Sequence, residues 1–268
     1  MKFQSGCLFF TMVLFASCSN DDTSGSTTPD SSPGSSVAQL SYTIASSYPH
    51  DTSAYTQGLE FYKGQLLEGT GNYGKSKLLQ TDLQTGKALR SVSLDSGYFG
   101  EGITVLNDTL YQLTWKEKKV LVYTAKDFKK IKELPLSTEG WGLTNDGKNL
   151  IATDGSNNLY FYEPGTMRLM RTQGVTENGA PAVNLNELEY INGYLYANQY
   201  SISNYIFKID PESGHVVARL DLGDLTKRVK ASTPQISELN GIAYNPETKK
   251  VYVTGKHWPQ LFEINFTF

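Results

Sequence analysis

The sequence predicts an all-β protein, a five-bladed β-propeller closed by an N-terminal strand. The first observation is a repeat. The stretch GEGITVLNDTLYQLTW, Gly100 to Trp115, has imperfect copies along the chain, so that equivalent triplets stand at Gln57-Gly58-Leu59, Glu101-Gly102-Ile103, Trp141-Gly142-Leu143, Asn186-Glu187-Leu188 and Asn240-Gly241-Ile242. Their middle residues are separated by 44, 40, 45 and 54 residues. Periods of about 40–45 residues holding roughly four short strands each are the signature of propeller blades. The second observation is composition: 17 Tyr and 24 Gly beside only 2 Cys favour strands and turns without a disulfide framework. The third is charge. A net charge of −3 over 268 residues, with 19% charged, describes an ordinary globular chain and implies neither nucleic acid nor an anionic membrane surface as partner.

Taken in order, residues 1–17 read as a targeting segment. Lys2 gives the positive start, and Leu8 to Phe15 is apolar but too short to span a bilayer as a permanent helix. Phe15-Ala16-Ser17-Cys18 resembles a bacterial lipobox, which makes Cys18 the expected acylated first residue of the mature chain. Residues 18–38, rich in Ser, Thr, Asp, Gly and Pro, cannot bury a core and read as a flexible tether. The expected location is the bacterial cell envelope, on the periplasmic or outer-membrane surface face, with membrane contact through the lipid alone.

Residues 39–268 form the propeller. Blade one shows β-like runs at Gly58–Tyr62, Gln65–Gly69, Ser76–Asp82 and Ala88–Leu94, with turns at Lys63-Gly64 and Gln84 to Gly86. Blade two repeats the plan from Gly102 to Leu136, blade three from Gly142 to about Val175, and blade four from Glu187 to Leu222. Blade five has only three runs, Gly241–Tyr244, Lys250–Thr254 and Leu261–Phe266. Its fourth strand is expected from Leu40 to Ser47, which alternates apolar and polar residues; such a closure removes open sheet edges. The polar insertion Gly223 to Glu238, with Lys227, Arg228 and Lys230, reads as a loop on one rim.

Registering the blades brings chemistry together. The residue before each innermost strand must sit on one rim of the central channel, which gives a ring of Gln57, Glu101, Trp141, Asn186 and Asn240. The second strand returns to the same rim, and equivalent positions at its far end give Gly71, Trp115, Asp154, Tyr200 and Lys256. Carboxylates, an ammonium, amides and large aromatics converging on one cup have the composition of a ligand site. Glu60 and Glu189 share a deeper channel position and suit structural duty around water or a cation. Three scattered His give no metal-ligand spacing, and His257, beside Lys256, reads equally as structural or as a support behind the site.

Seven segments carry a specific resemblance: YTQGLEF (55–61), FGEGIT (99–104), LTWK (113–116), EGWGLT (139–144), LNELEY (185–190), LNGIAYN (239–245) and VTGKHWP (253–259). In this order they resemble the glutamine cyclotransferase family, the plant and bacterial glutaminyl cyclases, across about Tyr42 to Phe266. The resemblance implies a five-bladed propeller that converts N-terminal glutamine of peptides or proteins to pyroglutamate with release of ammonia, needing no cofactor and no catalytic metal. It implies Glu101 as acid/base, Lys256 and Asn186 as further catalytic groups, and Gln57, Tyr55, Phe99, Trp115, Trp141 and Tyr200 as substrate-binding groups. Tyr200 departs from the family pattern, which commonly has tryptophan there. A monomer is expected.

The implied reaction is attack of the substrate's α-amine on its own side-chain amide, for which holding the chain folded back supplies much of the acceleration. One carboxylate can carry the proton from amine to leaving ammonia. Two other readings remain open from the residues: a metal-dependent lactone hydrolase recruiting Glu60, Glu189 and Asn186, or a binding propeller without catalysis.

Overall fold

The computed structural model describes residues 37–267, and the expected signal segment and Cys18 lie outside them. The chain opens with β1 (Ala38–Leu40) and β2 (Tyr42–Pro49). Blade one is β3 (Thr56–Tyr62), β4 (Gln65–Thr70), β5 (Lys77–Thr81) and β6 (Ala88–Ser93). Blade two is β7 (Gly100–Leu106), β8 (Thr109–Thr114), β9 (Lys119–Thr124) and β10 (Lys130–Pro135). Blade three is β11 (Leu143–Asn145), β12 (Leu150–Ala152), β13 (Asn158–Glu163) and β14 (Arg168–Gly174), followed by a short hairpin of β15 (Thr176–Glu177) and β16 (Ala180–Pro181). Blade four is β17 (Leu185–Ile191), β18 (Tyr194–Gln199), β19 (Tyr205–Ile209) and β20 (Val216–Asp221). A helix, α1 (Gly223–Ser232), leads to blade five: β21 (Leu239–Asn245), β22 (Lys250–Gly255) and β23 (Gln260–Phe266).

Closure follows the expected route. Strand β2 pairs antiparallel with β23, from Tyr42 opposite Phe266 to Pro49 opposite Gln260, so both ends of the propeller share blade five. The buried apolar residues separate into five clusters, one at each junction between neighbouring blades. Leu67, Leu78, Ile103 and Leu110 join blades one and two, for example, and Leu59, Phe61, Ala243 and Tyr252 join five and one. Each blade is therefore covered on both faces, which is why its middle strands are nearly continuous apolar runs rather than alternating ones.

Four of the five inner strands carry glycine at the repeat's middle position because the strands crowd around the channel. A Cβ on Gly58 would lie 2.6 Å from the Ile103 nitrogen, one on Gly102 2.5 Å from the Leu143 nitrogen, and one on Gly142 2.0 Å from the Asn186 oxygen. Blade four has Glu187 instead. Its carboxylate spans the channel, accepting from the Leu59 N–H at 3.1 Å and the Ile242 N–H at 2.8 Å, and so ties blade four to blades one and five. Glu189 accepts from the Tyr244 N–H at 2.8 Å and Glu60 from the Thr104 hydroxyl at 2.8 Å. These carboxylates satisfy buried donors that the inner strand edges leave open.

Two expectations are corrected. The insertion after blade four is not a loop along its length: residues 223–232 are helical, and Leu222, Leu225 and Val229 bury one stripe against Trp258 and Phe262. Their spacing is that of one helix face, a signal masked by the surrounding lysines and arginine. Asp224 in the first turn and Lys230 in the last also suit the helix dipole. The second concerns Ala38, assigned to the tether: it begins β1, which pairs parallel with β20 (Ala38 with Ala218, Leu40 with Leu220) and gives blade four a fifth strand. Three residues are too few to show a period, so only the open edge of β20 reveals them.

Candidate active site

At one mouth of the channel a cavity of about 170 Å³ is lined by Gln57, Glu101, Trp141, Asn186, Trp115, Tyr200, Lys256, Tyr55 and Phe99, together with Asn72. All nine side chains singled out in the sequence thus face one space. Gln57, Glu101 and Asn186 come from inner strands β3, β7 and β17, and Trp141 stands just before β11. Trp115, Tyr200 and Lys256 follow the ends of β8, β18 and β22, because an antiparallel second strand returns to the rim where the first began.

The other ring positions behave differently. Phe99 lies over Gly71, where a Cβ would stand 2.3 Å from its ring. Asp154 is turned away from the cavity: it accepts from the Ser156 N–H at 3.1 Å and the Tyr160 hydroxyl at 2.8 Å, capping the turn at Gly155. Strand β12 is only three residues long, so the chain turns before the side chain can reach the rim. Asn240 stands behind Gln57, donating to its Oε1 at 3.1 Å and to the Thr56 carbonyl at 3.0 Å. That leaves the Gln57 NH₂ as donor to Glu101, a bond that favours the ionised carboxylate.

Glu101 and Lys256 are the charged floor, and both are nearly sealed, at 4% and 2% exposure. Burial dominates both. It pushes Glu101 well above the usual carboxylate range, opposed by the Lys256 charge and reinforced by Glu117 and Glu139. It pulls Lys256 down to about 8, opposed by Glu101 and Glu238. The Lys256 ammonium is further held between two rings, 4.4 Å from the Tyr55 centroid and 4.3 Å from that of Tyr200.

The walls are fixed by edge-to-face contacts. Phe99 meets Trp115 at 5.4 Å and Tyr55 at 6.0 Å, while Trp141 meets Tyr200 at 5.6 Å and 90°. The Trp115 indole N–H donates to Glu139 at 2.9 Å, which sets the ring's rotation. His257 holds the segment that leads to Tyr55: its Nδ1 lies 2.9 Å from the Thr52 carbonyl and its backbone N–H donates to Ala54. By contrast, the Trp141 Nε1 and the Asn186 Oδ1 are buried without partners among the described residues. A buried donor and a buried acceptor left open in a cavity are the groups that a ligand's amide and amine can satisfy.

Sequence reasoning missed Asn72 and Glu139. Counting to the rim of blade one stops at Gly71, which has no side chain, and the lining residue is the next one along. Glu139 lies outside the counted positions and shows itself only through its bond to Trp115.

With this geometry in place, the comparisons with known proteins are specific. The family model for glutamine cyclotransferase matches residues 12–266. The chain belongs to the glutamine cyclotransferase family. Within it, the chain is 39% identical over 225 residues to a glutaminyl-peptide cyclotransferase of Arabidopsis thaliana, covering 82% of this chain and 70% of that protein. It is similar in structure to the glutaminyl cyclase of Myxococcus xanthus, with a TM-score of 0.80, 34% identity, and 86% of this chain and 98% of that one covered. This glutamine cyclotransferase is thus an enzyme of the acyl-transferring class on a five-bladed propeller. The lactone hydrolase reading loses its residues as well as its family: Glu60 and Glu189 line a different cavity, with Asn145 and Pro246.

Proposed function

We propose that this cyclotransferase closes the N-terminal glutamine of peptides or proteins to pyroglutamate, with Glu101 moving the proton. The observation that carries the reading is the presence of a buried carboxylate and a buried ammonium in one small aromatic cavity whose Asn186 Oδ1 and Trp141 Nε1 lack partners among the described residues.

The aromatic walls hold the glutamine folded so that its α-nitrogen meets its own side-chain carbonyl carbon; positioning of this kind is worth about 7–11 kcal/mol. Asn186 accepts from the α-amine and orients it. As the new C–N bond forms, Glu101 takes a proton from the amine, and the carbonyl oxygen gains the negative charge. Lys256 donates to that oxygen. Collapse of the intermediate breaks the bond to the amide nitrogen, which leaves as ammonia with the proton returned by Glu101. A carboxyl raised by burial suits both halves, since it holds a proton more readily than an ordinary carboxylate and can still return it to the departing nitrogen. Lys256, lowered to about 8, is still protonated at neutral pH and hydrogen-bonds more strongly for being dehydrated.

The decisive experiment incubates the purified protein with a peptide beginning in glutamine and follows ammonia together with peptide mass. Ammonia release with loss of about 17 Da, the protonated amide nitrogen leaving, supports the reading; an unchanged peptide sinks it. We also propose anchoring through acylated Cys18 in a bacterial envelope, on the strength of the Phe15-to-Cys18 pattern. Cys18→Ala should move the enzyme out of the membrane fraction without loss of activity, and unchanged fractionation would remove the anchor.

A further inference from the structure

Asn72 is a lining residue with no role in the chemistry above, and its backbone is unusual. Its φ is 93°, whereas the other twelve described non-glycine residues with positive φ lie between 50° and 64°. Those twelve occupy the small left-handed region open to side chains; 93° is territory that favours glycine. The conformation is imposed from outside. The Asn72 carbonyl accepts from the Lys75 N–H at 2.9 Å, the Ser76 N–H at 2.8 Å and the Ser76 hydroxyl at 2.8 Å. The Ser76 hydroxyl oxygen in turn accepts from the Gly100 N–H at 2.9 Å, so the turn is tied to the strand that carries Glu101.

A glycine would meet these backbone demands with less strain, so the side chain must earn its place elsewhere. Within the protein it does not: the Asn72 amide makes no hydrogen bond among the described residues and faces the cavity. Its position in depth is informative. Glu101 and Lys256 form a sealed floor, whereas Tyr73, the next residue, is 48% exposed at the mouth. The α-amine and side-chain amide of the glutamine must both reach Glu101, so its own carbonyl and the following residue point back toward Asn72. A primary amide offers a donor and an acceptor at fixed spacing, which complements the C=O and N–H of a peptide unit.

We propose that Asn72 binds the peptide unit following the N-terminal glutamine, and so favours peptides over free glutamine. The inference rests on the cyclase reading and is tested so that the two fail separately. Wild type, Asn72→Gly and Asn72→Ala are assayed on a glutamine-initiated tripeptide and on free L-glutamine, with melting temperature measured in parallel. In both variants the ratio of kcat/KM for tripeptide over glutamine should fall about tenfold, chiefly through KM, as expected from losing one or two uncharged hydrogen bonds. The glycine variant should melt at or above the wild-type temperature because the strain is relieved, and the alanine variant below it. An unchanged ratio, an equal loss on both substrates, or a glycine variant that melts well below wild type would overturn the proposal. Absence of ammonia release from either substrate by the wild type would instead overturn the cyclase reading and this inference with it.

Discussion

The Lys256 ammonium stands 4.3 Å from the centre of the Tyr200 ring, in a place where burial, opposed by the charges of Glu101 and Glu238, leaves its pKa lowered to about 8. The ring's negative face favours the charged form and partly restores it. Tyr200 is therefore coupled to the protonation of Lys256, the group proposed to stabilise the oxyanion.

A pH profile reads this coupling. The substrate amine, with an unperturbed pKa of roughly 7.7–8.0, must lose its proton, and Lys256 must keep its own, so kcat/KM should rise toward pH 8 and fall above it. Tyr200→Leu removes one ring from the ammonium and should move the alkaline limb to lower pH by about half to one and a half units. Tyr200→Trp should leave it in place or raise it. An unmoved limb in Tyr200→Leu would show that Lys256 does not set it.

Glu101→Gln keeps the shape and removes the proposed proton carrier. It should lower kcat by about 10²–10⁴ with KM little changed. Retention of more than about a tenth of kcat, far outside the general acid–base range, would show that another group moves the proton. Asp154 is not that group, since it faces a turn and bonds Ser156 and Tyr160.

Asn240 should matter through Gln57. By fixing the Gln57 oxygen it keeps the NH₂ directed at Glu101, so Asn240→Leu should lower kcat/KM by roughly tenfold, the scale of one hydrogen bond to a charged group. In a Gln57→Leu background the same change should add little, because residues acting through one network are not additive. Full additivity of the two substitutions would break the proposed chain.

Stability should fall as pH rises through the weakly acidic range. Glu60 is half-buried and its pKa is raised to about 7, mainly by desolvation, so the native state holds a proton that the unfolded chain releases near its ordinary value. The native state then binds more protons, and the stability this gives at low pH is lost as pH climbs toward about 7. Glu187 and Glu189, also raised by burial, act in the same direction. Glu60→Gln should flatten the decline in melting temperature between about pH 4 and 8, the interval spanning the ordinary carboxylate pKa and the raised one. An equally steep decline in the variant would assign it to other groups.

The blade count, the closing strand and seven of the side chains around the cavity were legible in the sequence because a propeller converts register into position; Tyr55 and Phe99 were added only by the family resemblance. Once five copies of the Gln57-Gly58-Leu59 unit are aligned, equivalent residues must occupy equivalent places on one rim, and strand periodicity is a local property of each repeat. What only the tertiary structure decided depends on neighbours remote in the chain or on side-chain direction at turns. Glu187 looks like an irregular repeat until its carboxylate is seen bridging Leu59, 128 residues away, and Ile242, 55 away. Asp154 has the right register and the wrong direction, since a local turn captured its carboxylate. Helix α1 and strand β1 exist because Leu222, Leu225 and Val229 found Trp258 to cover, and Ala38–Leu40 found an open edge on β20. Burial also set the electrostatics: a glutamate and a lysine on a rim are ordinary surface charges by sequence, and only exclusion of water moves Glu101 up and Lys256 down.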